Sequence, residues 1–513
     1  MRIKNSINNS ISSIINLLFL TIFNLIYRTV FIKVLGEEYL GINAVMVNIV
    51  TVLSLAELGF SQAIAYLLYK PLAEKNDAKA FAYIRYFKRI YLYIGAFVII
   101  MGIVLLPFLE SIIPTNIKPT EVKIIFLLFI ANSSITYFWS YKRTLIIADQ
   151  KNYKIIPAIS LCQATDLILK SIFLFIIRDF IFILCLQVVI KILENFLVNN
   201  KINKLYATVF SSDVIPLNNT EKETIKRKTI ATFYHKLGTV FVNSTDSIII
   251  SAFVGVSILG VYSNYTMVIT LLTTFISVAF NSTIASFGNL IIEKKDKSEE
   301  SFYIIQYTSI FIFGLASLLF LTQINSVISL WIGDKYNISY YIVILLTINF
   351  FIVGIRTPVI IAKTAGGIFE KDKYAPILEG ILSLILALLL VQKYDIIGVL
   401  MAKLISVIVI PLWLQPYITF NHIFSKKNSV SIKKKKIIPL LTCALITIVF
   451  GIIISHYIST LITQNGFIPL VVTTFILIVI YTLMFLMLTF NIVELKMLIK
   501  KLFYIWNSRT FLR

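Results

Sequence analysis

The chain has 513 residues, of which 58% are hydrophobic and only 14% carry a charge. Soluble domains are about 45–50% apolar and about 25% charged, so lipid rather than water must surround most of this chain. Its three cysteines provide neither a disulfide framework nor the spacing of a metal site. The composition therefore excludes a soluble enzyme and predicts an all-α polytopic membrane protein.

Taken in chain order, the sequence contains about fourteen apolar runs separated by charged, glycine or proline residues. Each run has roughly the 20 residues that a helix needs to cross a bilayer. Because the runs use most of the chain, the longest predicted internal loop is only 201–228, which is too short for a catalytic domain. The predicted spans cover 11–33, 42–69, 86–109, 122–146, 155–178, 180–200, 229–254, 257–288, 302–323, 340–362, 375–392, 396–419, 437–456 and 467–489.

Positive charge predicts the orientation of these spans, because cytoplasmic loops retain lysine and arginine. The chain has 47 such cations against 25 acidic residues. With the first residues in the cytoplasm, 35 cations fall in cytoplasmic segments and about six in external connections. Both termini are therefore predicted to be cytoplasmic. The run Lys433–Lys436 then faces anionic lipid headgroups, so the charge excess does not call for a nucleic acid partner.

Two motifs separated by 219 positions indicate an internal repeat. GEEYLG runs from Gly36 to Gly41 after the first span, and GVSILG runs from Gly255 to Gly260 after the seventh. A parallel repeat of this kind predicts two lobes with a binding site between them. Two tight hairpins that each need glycine would give the same match, and this alternative stays open.

Polar residues recur at helical spacing within the first, second, seventh and eighth spans. Such stripes point into a helix bundle, where they line a water-filled cavity or join helices by hydrogen bonds of about 0.6 kcal/mol. Their length favours the cavity. The stripes comprise Ser13, Asn16, Asn24 and Arg28; Ser54, Glu57 and Ser61; Thr232, His235, Thr239, Asn243 and Asp246; and Thr266, Thr270, Thr274, Ser277 and Asn281.

Charged residues within the spans fall into two groups. Opposite charges three or four residues apart on one helix can pair, which predicts a structural role; these are Asp166 with Lys170 and Lys191 with Glu194. Four cations have no acid at those spacings, namely Arg28, Lys236, Arg356 and Lys403. They favour a cavity for an anion, the alternative being that each extends along its helix to the membrane surface.

Motifs for catalysis are missing from the sequence. It has no GxxxxGK[ST] nucleotide loop, no HExxH motif and no Ser/His/Asp set on a loop. We therefore predict that the protein is not an enzyme, binds no cofactor and draws energy from an ion or substrate gradient. If transport is ion-coupled, Glu57 and Asp246 are the candidate residues; each could equally be a fixed counter-ion to a cation on another helix.

The segment from Leu35 to Asp77, LGEEYLGINAVMVNIVTVLSLAELGFSQAIAYLLYKPLAEKND, resembles the N-terminal signature of Wzx-type polysaccharide flippases. These belong to the multidrug/oligosaccharidyl-lipid/polysaccharide (MOP) exporter superfamily, whose fold is MATE-like. Further similar blocks are HKLG at 235–238, TD at 245–246, YSNY at 262–265 and WIG at 331–333, followed by Arg356, Gly366–Gly367 and Gly398.

This resemblance implies two six-helix lobes followed by two C-terminal helices. The implied divisions are an N-terminal lobe at 1–200, a cytoplasmic inter-lobe loop at 201–228, a C-terminal lobe at 229–421 and two further spans with a basic tail at 422–513. It also implies a place in the bacterial cytoplasmic membrane, where the protein would move an undecaprenyl-diphosphate-linked oligosaccharide outward for capsule, exopolysaccharide or O-antigen assembly. Membrane lipids, a polymerase and other assembly proteins are the implied partners.

With this substrate, the candidate residues for binding the diphosphate or sugar are Arg28, His235, Lys236, Asn264, Arg356 and Lys403. Lys236 and Arg356 would load the diphosphate near the cytoplasmic face, and Arg28 would hold it later. A MATE-like drug or metabolite antiporter is the alternative function, although a pump for cationic drugs should have an acidic cavity. A repeat-unit polymerase should have a large external loop, whereas the longest one predicted here is 324–339.

Overall fold

The computed structural model describes residues 2–57, 60–213, 216–293, 295–368, 371–372, 374–424, 431–461 and 466–498. Within these ranges every regular element is helical. The helices are α1 Arg2–Leu53, α2 Phe60–Ala73, α3 Asp77–Leu105, α4 Leu109–Ile112, α5 Pro119–Ala148, α6 Ile156–Ile177, α7 Phe180–Leu205, α8 Ala207–Ser211, α9 Asn219–Phe253, α10 Val256–Asn281, α11 Ile284–Glu293, α12 Lys295–Ile332, α13 Tyr340–Ala365, α14 Ala375–Val409, α15 Pro411–Ile423, α16 Ser431–Leu461 and α17 Phe467–Thr489.

Eleven helical stretches among the described residues are long and apolar enough to cross a membrane. The predicted multi-pass, all-helical architecture is therefore confirmed, while the count of fourteen spans stays a prediction. One stretch, Ala375–Ile423, contains two of the predicted spans. Another, Ser12–Leu53, contains all but one residue of the first span and the beginning of the second.

Two of these long helices are interrupted where the sequence predicts a connection between spans. The backbone leaves the helical region at Gly36 in α1, where φ is 81°, and at Asp395 in α14, where φ is 50°. Glycine adopts positive φ without a steric penalty, and aspartate tolerates it better than most residues. Each interruption allows the chain to turn without a separate loop.

The segment 201–228, predicted as a loop, is largely helical. Helix α7 continues to Leu205, and α9 begins at Asn219, well before the predicted span. Asn218 and Glu221 form a capping box that satisfies backbone N–H groups at the start of α9. The polar residues that follow Asn219 mark the end of the apolar run, but they do not end the helix.

The described residues form two compact units. Unit 1 consists of Met1–Ser263 and Pro376–Asp395. In its core α1 packs against α6 and α9, and α5 packs against α3 and α7. Aromatic rings fill the contact between α1 and α7, where Phe31 meets the ring of Phe180 edge-on at 5.2 Å.

Unit 2 consists of Asn264–Ala375 and Ile396–Arg513. Its last two helices, α16 and α17, pack on α12 through a buried aromatic cluster. The hydroxyl of Tyr307 lies 2.9 Å from that of Thr489, and Phe485 stacks on Tyr481. The two C-terminal helices are thus part of the core of unit 2. The division into lobes at 1–200 and 229–421 stays a prediction, since unit 1 contains residues of both.

Candidate functional site

The predicted site residues lie on six different helical segments. Arg28 is on α1, Asp246 on α9, Asn264 on α10, Arg356 on α13 and Lys403 on α14, while Glu57 ends a 3-10 turn at Ser54–Glu57. His235 and Lys236 lie in α9, but their side chains are outside the described residues. The roles proposed for those two residues therefore stay predictions from the sequence.

Arg28 is held by α10. Its guanidinium donates a short hydrogen bond to the hydroxyl of Ser263, and that hydroxyl donates to the carbonyl oxygen of Gly260 at 2.6 Å. From the sequence, Ser263 was recognised only as part of the YSNY block. Its partner, Arg28, lies 235 positions away in the chain. The contact fixes one side of the guanidinium with a neutral oxygen, so this bond does not cancel the positive charge.

Arg356 is held in a similar way in unit 2. One of its terminal nitrogens donates to the amide oxygen of Gln415 on α15 at 3.3 Å, and Gln415 is buried. A glutamine within the apolar first half of α15 was the available sequence signal for this partner. Its amide orients the guanidinium of Arg356 and, like the serine hydroxyl, carries no formal charge.

The other two candidate contacts for sugar or phosphate differ in burial. Asn264 is fully buried, whereas Lys403 is half-buried. Beside Asn264, the hydroxyl of Tyr265 donates to Asn325 at 2.7 Å and accepts the backbone N–H of Ile338 at 3.2 Å. This part of the YSNY block therefore ties α10 to the connection between α12 and α13.

Glu57, one of the two candidate coupling acids, lies where the helix is interrupted. It is half-buried at the end of the 3-10 turn that follows α1. On this turn Ser54 accepts a hydrogen bond from the hydroxyl of Tyr137 at 2.9 Å, and Glu57 interacts with the same tyrosine. Where a membrane helix is interrupted, neighbouring helices and polar side chains satisfy the backbone groups that the helix no longer pairs.

Asp246, the other candidate acid, is buried on α9. It interacts electrostatically with the buried Tyr262 of α10. Both residues belong to unit 1, and both fall in blocks that carry the family resemblance.

The polar stripes serve two purposes. On α10 the hydroxyls of Thr270 and Thr274 donate to carbonyl oxygens of their own helix, each at 2.7 Å. On α1, Asn24 does the same at 2.8 Å. These residues do not join helices through those bonds, so the water-filled cavity stays a prediction. Asn16 instead accepts a hydrogen bond from Ser160 of α6 and does join two helices.

A larger set of charges lies among α5, α6 and α7, and we call it the charge network. It comprises Arg143, Asp166, Lys170, Lys191 and Glu194. Lys170 and Asp166 are 2.7 Å apart, as their spacing predicts. The Lys170 ammonium also donates to Gln187 of α7 at 3.0 Å and lies over the ring of Tyr27 of α1.

Three members of the charge network meet at Glu194. This buried carboxylate lies 3.3 Å from Lys191, the partner that the sequence predicts. It also accepts from Arg143 at 2.7 Å, and Arg143 donates in addition to Asn195 at 3.1 Å. The sequence count places Arg143 in a cytoplasmic segment, which stays a prediction; in the structure Arg143 lies near the end of α5, where Glu194 of α7 compensates its charge.

A second cation counted as cytoplasmic, Lys363, is buried near the end of α13. Its ammonium forms an ion pair with the buried Asp372 at 2.5 Å. The two residues are nine positions apart. Their ion pair therefore holds the segment that follows α13 against the end of that helix. The spacing rule for helix pairs does not detect this contact, because the acid lies beyond the helix.

Comparisons with known proteins agree with this architecture. No family model matches the chain, and no curated protein matches it. Among solved structures it is similar to the lipid II flippase MurJ in an inward closed conformation, with a TM-score of 0.64, 14% identity and coverage of 94% of this chain and 99% of that one. It is also similar to an inward-facing multidrug resistance MATE family transporter of the MOP superfamily, with a TM-score of 0.63, 14% identity and coverage of 78% and 94%.

A third similar structure is a MOP superfamily transporter from Pyrococcus furiosus, with a TM-score of 0.51, 15% identity and coverage of 81% of this chain and 96% of that one. At these identities the likeness concerns the fold. These neighbours are a lipid II flippase and two transporters. The chain therefore has the fold of the MOP superfamily transporters.

Proposed function

We propose that this protein is a flippase for a lipid-linked oligosaccharide. The substrate would be carried on undecaprenyl diphosphate and moved across the bacterial cytoplasmic membrane for assembly of a capsule, an exopolysaccharide or an O-antigen. The Wzx-like sequence blocks support this substrate class, and the full-length similarity to a lipid II flippase supports the architecture. A polymerase and other assembly proteins would receive the product, with both termini of the flippase in the cytoplasm.

The observation that carries this proposal is the way in which two arginines are held inside apolar helices. Arg28 and Arg356 each donate to a neutral oxygen, on Ser263 and Gln415 respectively. Each of these hydrogen bonds orients the planar fork of a guanidinium. Diphosphate oxygens accept such donors in short, charge-assisted bonds, and a planar fork binds two oxygens at once.

The two arginines would act at different depths. Arg356 precedes the last residue of α13, Ala365, by nine positions, which at 1.5 Å per residue is on the order of 10 Å. With the predicted orientation this places it near the cytoplasmic leaflet, where a headgroup enters. Arg28 precedes the turn at Gly36 by eight positions, so it would contact the headgroup nearer the external side. Lys236 and His235 would add to the entry site.

A translocation assay in vesicles tests this proposal. The purified protein is reconstituted, a fluorescent short-chain oligosaccharide diphosphate lipid is placed in one leaflet, and its appearance in the other leaflet is followed. We expect protein-dependent translocation and no uptake of a cationic dye. The MATE-like antiporter reading predicts the reverse, because the same fold is found in multidrug transporters. Dye transport without lipid translocation would therefore contradict the flippase.

Ion coupling is the part of this function that we assign to Glu57 and Asp246. Glu57 ends a 3-10 turn, and Asp246 belongs to the polar stripe of the seventh span. Protonation of either carboxylate, or cation binding to it, changes the local charge. We expect Glu57→Gln or Asp246→Asn to abolish the dependence of translocation on an imposed proton or sodium gradient. Retention of that dependence in both variants would show that these carboxylates are fixed counter-ions.

A further inference from the structure

Two lysines of unit 1 face each other at the contact between α3 and α5, and we call them the lysine pair. Lys88 is exposed on α3, and Lys142 is half-buried on α5. The positive charge of Lys88 acts on the ammonium of Lys142. Neither lysine forms an ion pair with a carboxylate of the described residues. Two like charges repel each other, so an anion placed between them would be attracted by both.

Neutral groups from two further helices position Lys142. Its ammonium donates to the amide oxygen of Asn203 on α7 at 2.8 Å and lies 5.0 Å from the centroid of the Phe210 ring on α8. Phe210 in turn meets Phe81 of α3 edge-on at 6.2 Å. An amide and an aromatic ring carry no formal charge, so these contacts position the ammonium without an ion pair.

The lysine pair lies at one end of a close contact between antiparallel helices. A Cβ atom at Gly95 of α3 would be 3.5 Å from Tyr137 of α5, and a Cβ atom at Gly102 would be 3.0 Å from Ile130. Residue numbers therefore rise along α3 as they fall along α5. With the orientation predicted from positive charge, the end that carries the lysine pair is the cytoplasmic end.

Exposed apolar side chains continue from the lysine pair along both helices. Leu92 follows the lysine of α3 by four positions, and Phe138 precedes the lysine of α5 by four, so each lies on the face of its lysine. Ile103 and Leu127 lie another eleven positions along, on the order of 16 Å, on the same faces. These four exposed residues form what we call the apolar strip.

We propose that the lysine pair binds the phosphate of an anionic phospholipid of the cytoplasmic leaflet, with an acyl chain on the apolar strip. Phosphate oxygens accept charge-assisted hydrogen bonds from lysine ammonium groups. The length of the strip matches one leaflet, about half of a 30 Å hydrocarbon core, which favours a lipid over free phosphate. The bound lipid would strengthen the attachment of α8 to α3. This site does not depend on the proposed transport function.

Native mass spectrometry of the purified full-length chain tests the site. Phosphatidylglycerol, which is anionic, and phosphatidylcholine, which is zwitterionic, are titrated separately in detergent. We expect Lys88→Gln with Lys142→Gln to raise the Kd for phosphatidylglycerol by about tenfold or more and to leave that for phosphatidylcholine unchanged. Lys70→Gln with Lys151→Gln is the matched control. It removes the same charge from two lysines that each have a carboxylate partner, and it should bind phosphatidylglycerol like the unmodified protein.

Inorganic phosphate distinguishes the lipid from a free anion. We expect it not to displace phosphatidylglycerol when both are present at the same concentration, because it cannot cover the apolar strip. Displacement under these conditions would overturn the phospholipid as the ligand. An unchanged Kd for phosphatidylglycerol in folded Lys88→Gln with Lys142→Gln would overturn the site. An equal rise in the control would also overturn it, since general surface charge would then explain the binding.

Photocross-linking of the unmodified protein replaces the double variant should that variant fail to fold. Phosphatidylglycerol with a diazirine in its acyl chain is cross-linked in vesicles, and the labelled peptides are identified by mass spectrometry. We expect labelling to concentrate on the peptides of α3 and α5 that contain the apolar strip, and to be reduced by unlabelled phosphatidylglycerol but not by phosphatidylcholine. Labelling spread evenly over the exposed helices, or reduced equally by both lipids, would overturn the site.

Discussion

Charge inside the membrane-spanning helices is accommodated in two ways, which the charge network and the two arginines of the proposed site illustrate. In the charge network each cation lies against a carboxylate, such as Lys170 against Asp166 at 2.7 Å. Arg28 and Arg356 instead donate to a hydroxyl and an amide. Both arrangements provide hydrogen-bond acceptors, but only the first neutralises the charge through the bond itself.

This difference separates a structural role from a binding role. Burial of an ion costs several kcal/mol unless an opposite charge compensates it, so the members of the charge network depend on one another. Arg28 and Arg356 are oriented by a hydroxyl and an amide, and a guanidinium oriented in this way can donate to an incoming anion. Substitutions in the charge network should therefore affect stability, and substitutions at the arginines should affect transport.

The largest effect is expected for Glu194→Gln. This change leaves the half-buried Arg143 and Lys191 beside a buried neutral amide. Removing one partner of a fully buried pair costs about 3–5 kcal/mol, which is the upper bound here. Thermal unfolding in detergent should show the loss. Glu74→Gln is the control, because its pair with Lys70 is well exposed and contributes little. Equal unfolding temperatures for both variants would mean that the charge network is not structural.

A double variant sharpens this result. Asp166→Asn alone strands the buried Lys170 ammonium, whereas Asp166→Asn with Lys170→Met removes both charges. Replacement of a buried ion pair by apolar groups is often neutral, so the double variant should recover most of the lost unfolding free energy. Translocation per folded molecule should be normal in the double variant. A transport defect in the double variant would show that Asp166 and Lys170 take part in transport and do not only stabilise the fold.

An intermediate effect is expected for Arg28→Lys and Arg356→Lys. Lysine keeps the positive charge but cannot donate to two phosphate oxygens at once, as the planar guanidinium does. One hydrogen bond to a charged group is therefore lost, which is worth about 1.5–3 kcal/mol. Translocation should fall by about tenfold or more, with unchanged unfolding temperatures. Wild-type rates in the lysine variants, with loss only in the alanine variants, would favour arginines that merely anchor the helices at the membrane surface.

A smaller effect is expected for Gln415→Leu, which removes the amide that orients Arg356 and keeps its guanidinium. Because the charge remains, we expect translocation to fall less than in Arg356→Lys. The pH dependence of translocation should be unchanged, since no titrating group is altered. A loss as large as that of Arg356→Ala would instead indicate that Gln415 contacts the substrate.

The smallest effect concerns the ion pair at the start of α9, where Lys79 lies 2.7 Å from Glu221. Partial burial pushes the pKa of Glu221 upward, but hydrogen bonds from Lys79 and from the backbone of Asn218 outweigh it and lower that pKa below the usual 4.5. Such a carboxyl stabilises the folded state above its unfolded pKa and loses this contribution as the pH falls. Glu221→Gln should cost about 0.5–1 kcal/mol at neutral pH.

The same substitution has a defined pH signature. The difference in unfolding free energy between Glu221→Gln and the unmodified protein should disappear as the pH falls below about 4.5. Tyr83, which also faces this carboxyl at 3.4 Å, stays neutral over this range. A difference that persists in acid would show that the amide disturbs the capping box rather than the ion pair.

Local features of the fold and site were predictable from the sequence. The pairs Asp166–Lys170 and Lys191–Glu194 follow from spacing on one helix, and the turn at Gly36 follows from its glycine. Contacts between distant segments were not predictable. Arg143 meets Glu194 across 51 positions, and the hydrogen bond of Arg28 depends on how α1 packs against α10. The helical start of α9 was missed because hydropathy reports the membrane boundary and not the helix boundary.

The central claim is that Arg28 and Arg356 bind an anionic headgroup whereas the charge network does not, and a binding measurement tests it most directly. Undecaprenyl diphosphate is titrated into the purified protein, and the Kd is compared among four proteins: the unmodified chain, Arg28→Ala, Arg356→Ala, and Asp166→Asn with Lys170→Met. We predict a raised Kd in both arginine variants and an unchanged Kd in the charge-network variant. Equal affinity in all four, or loss of affinity only in the charge-network variant, would contradict the account.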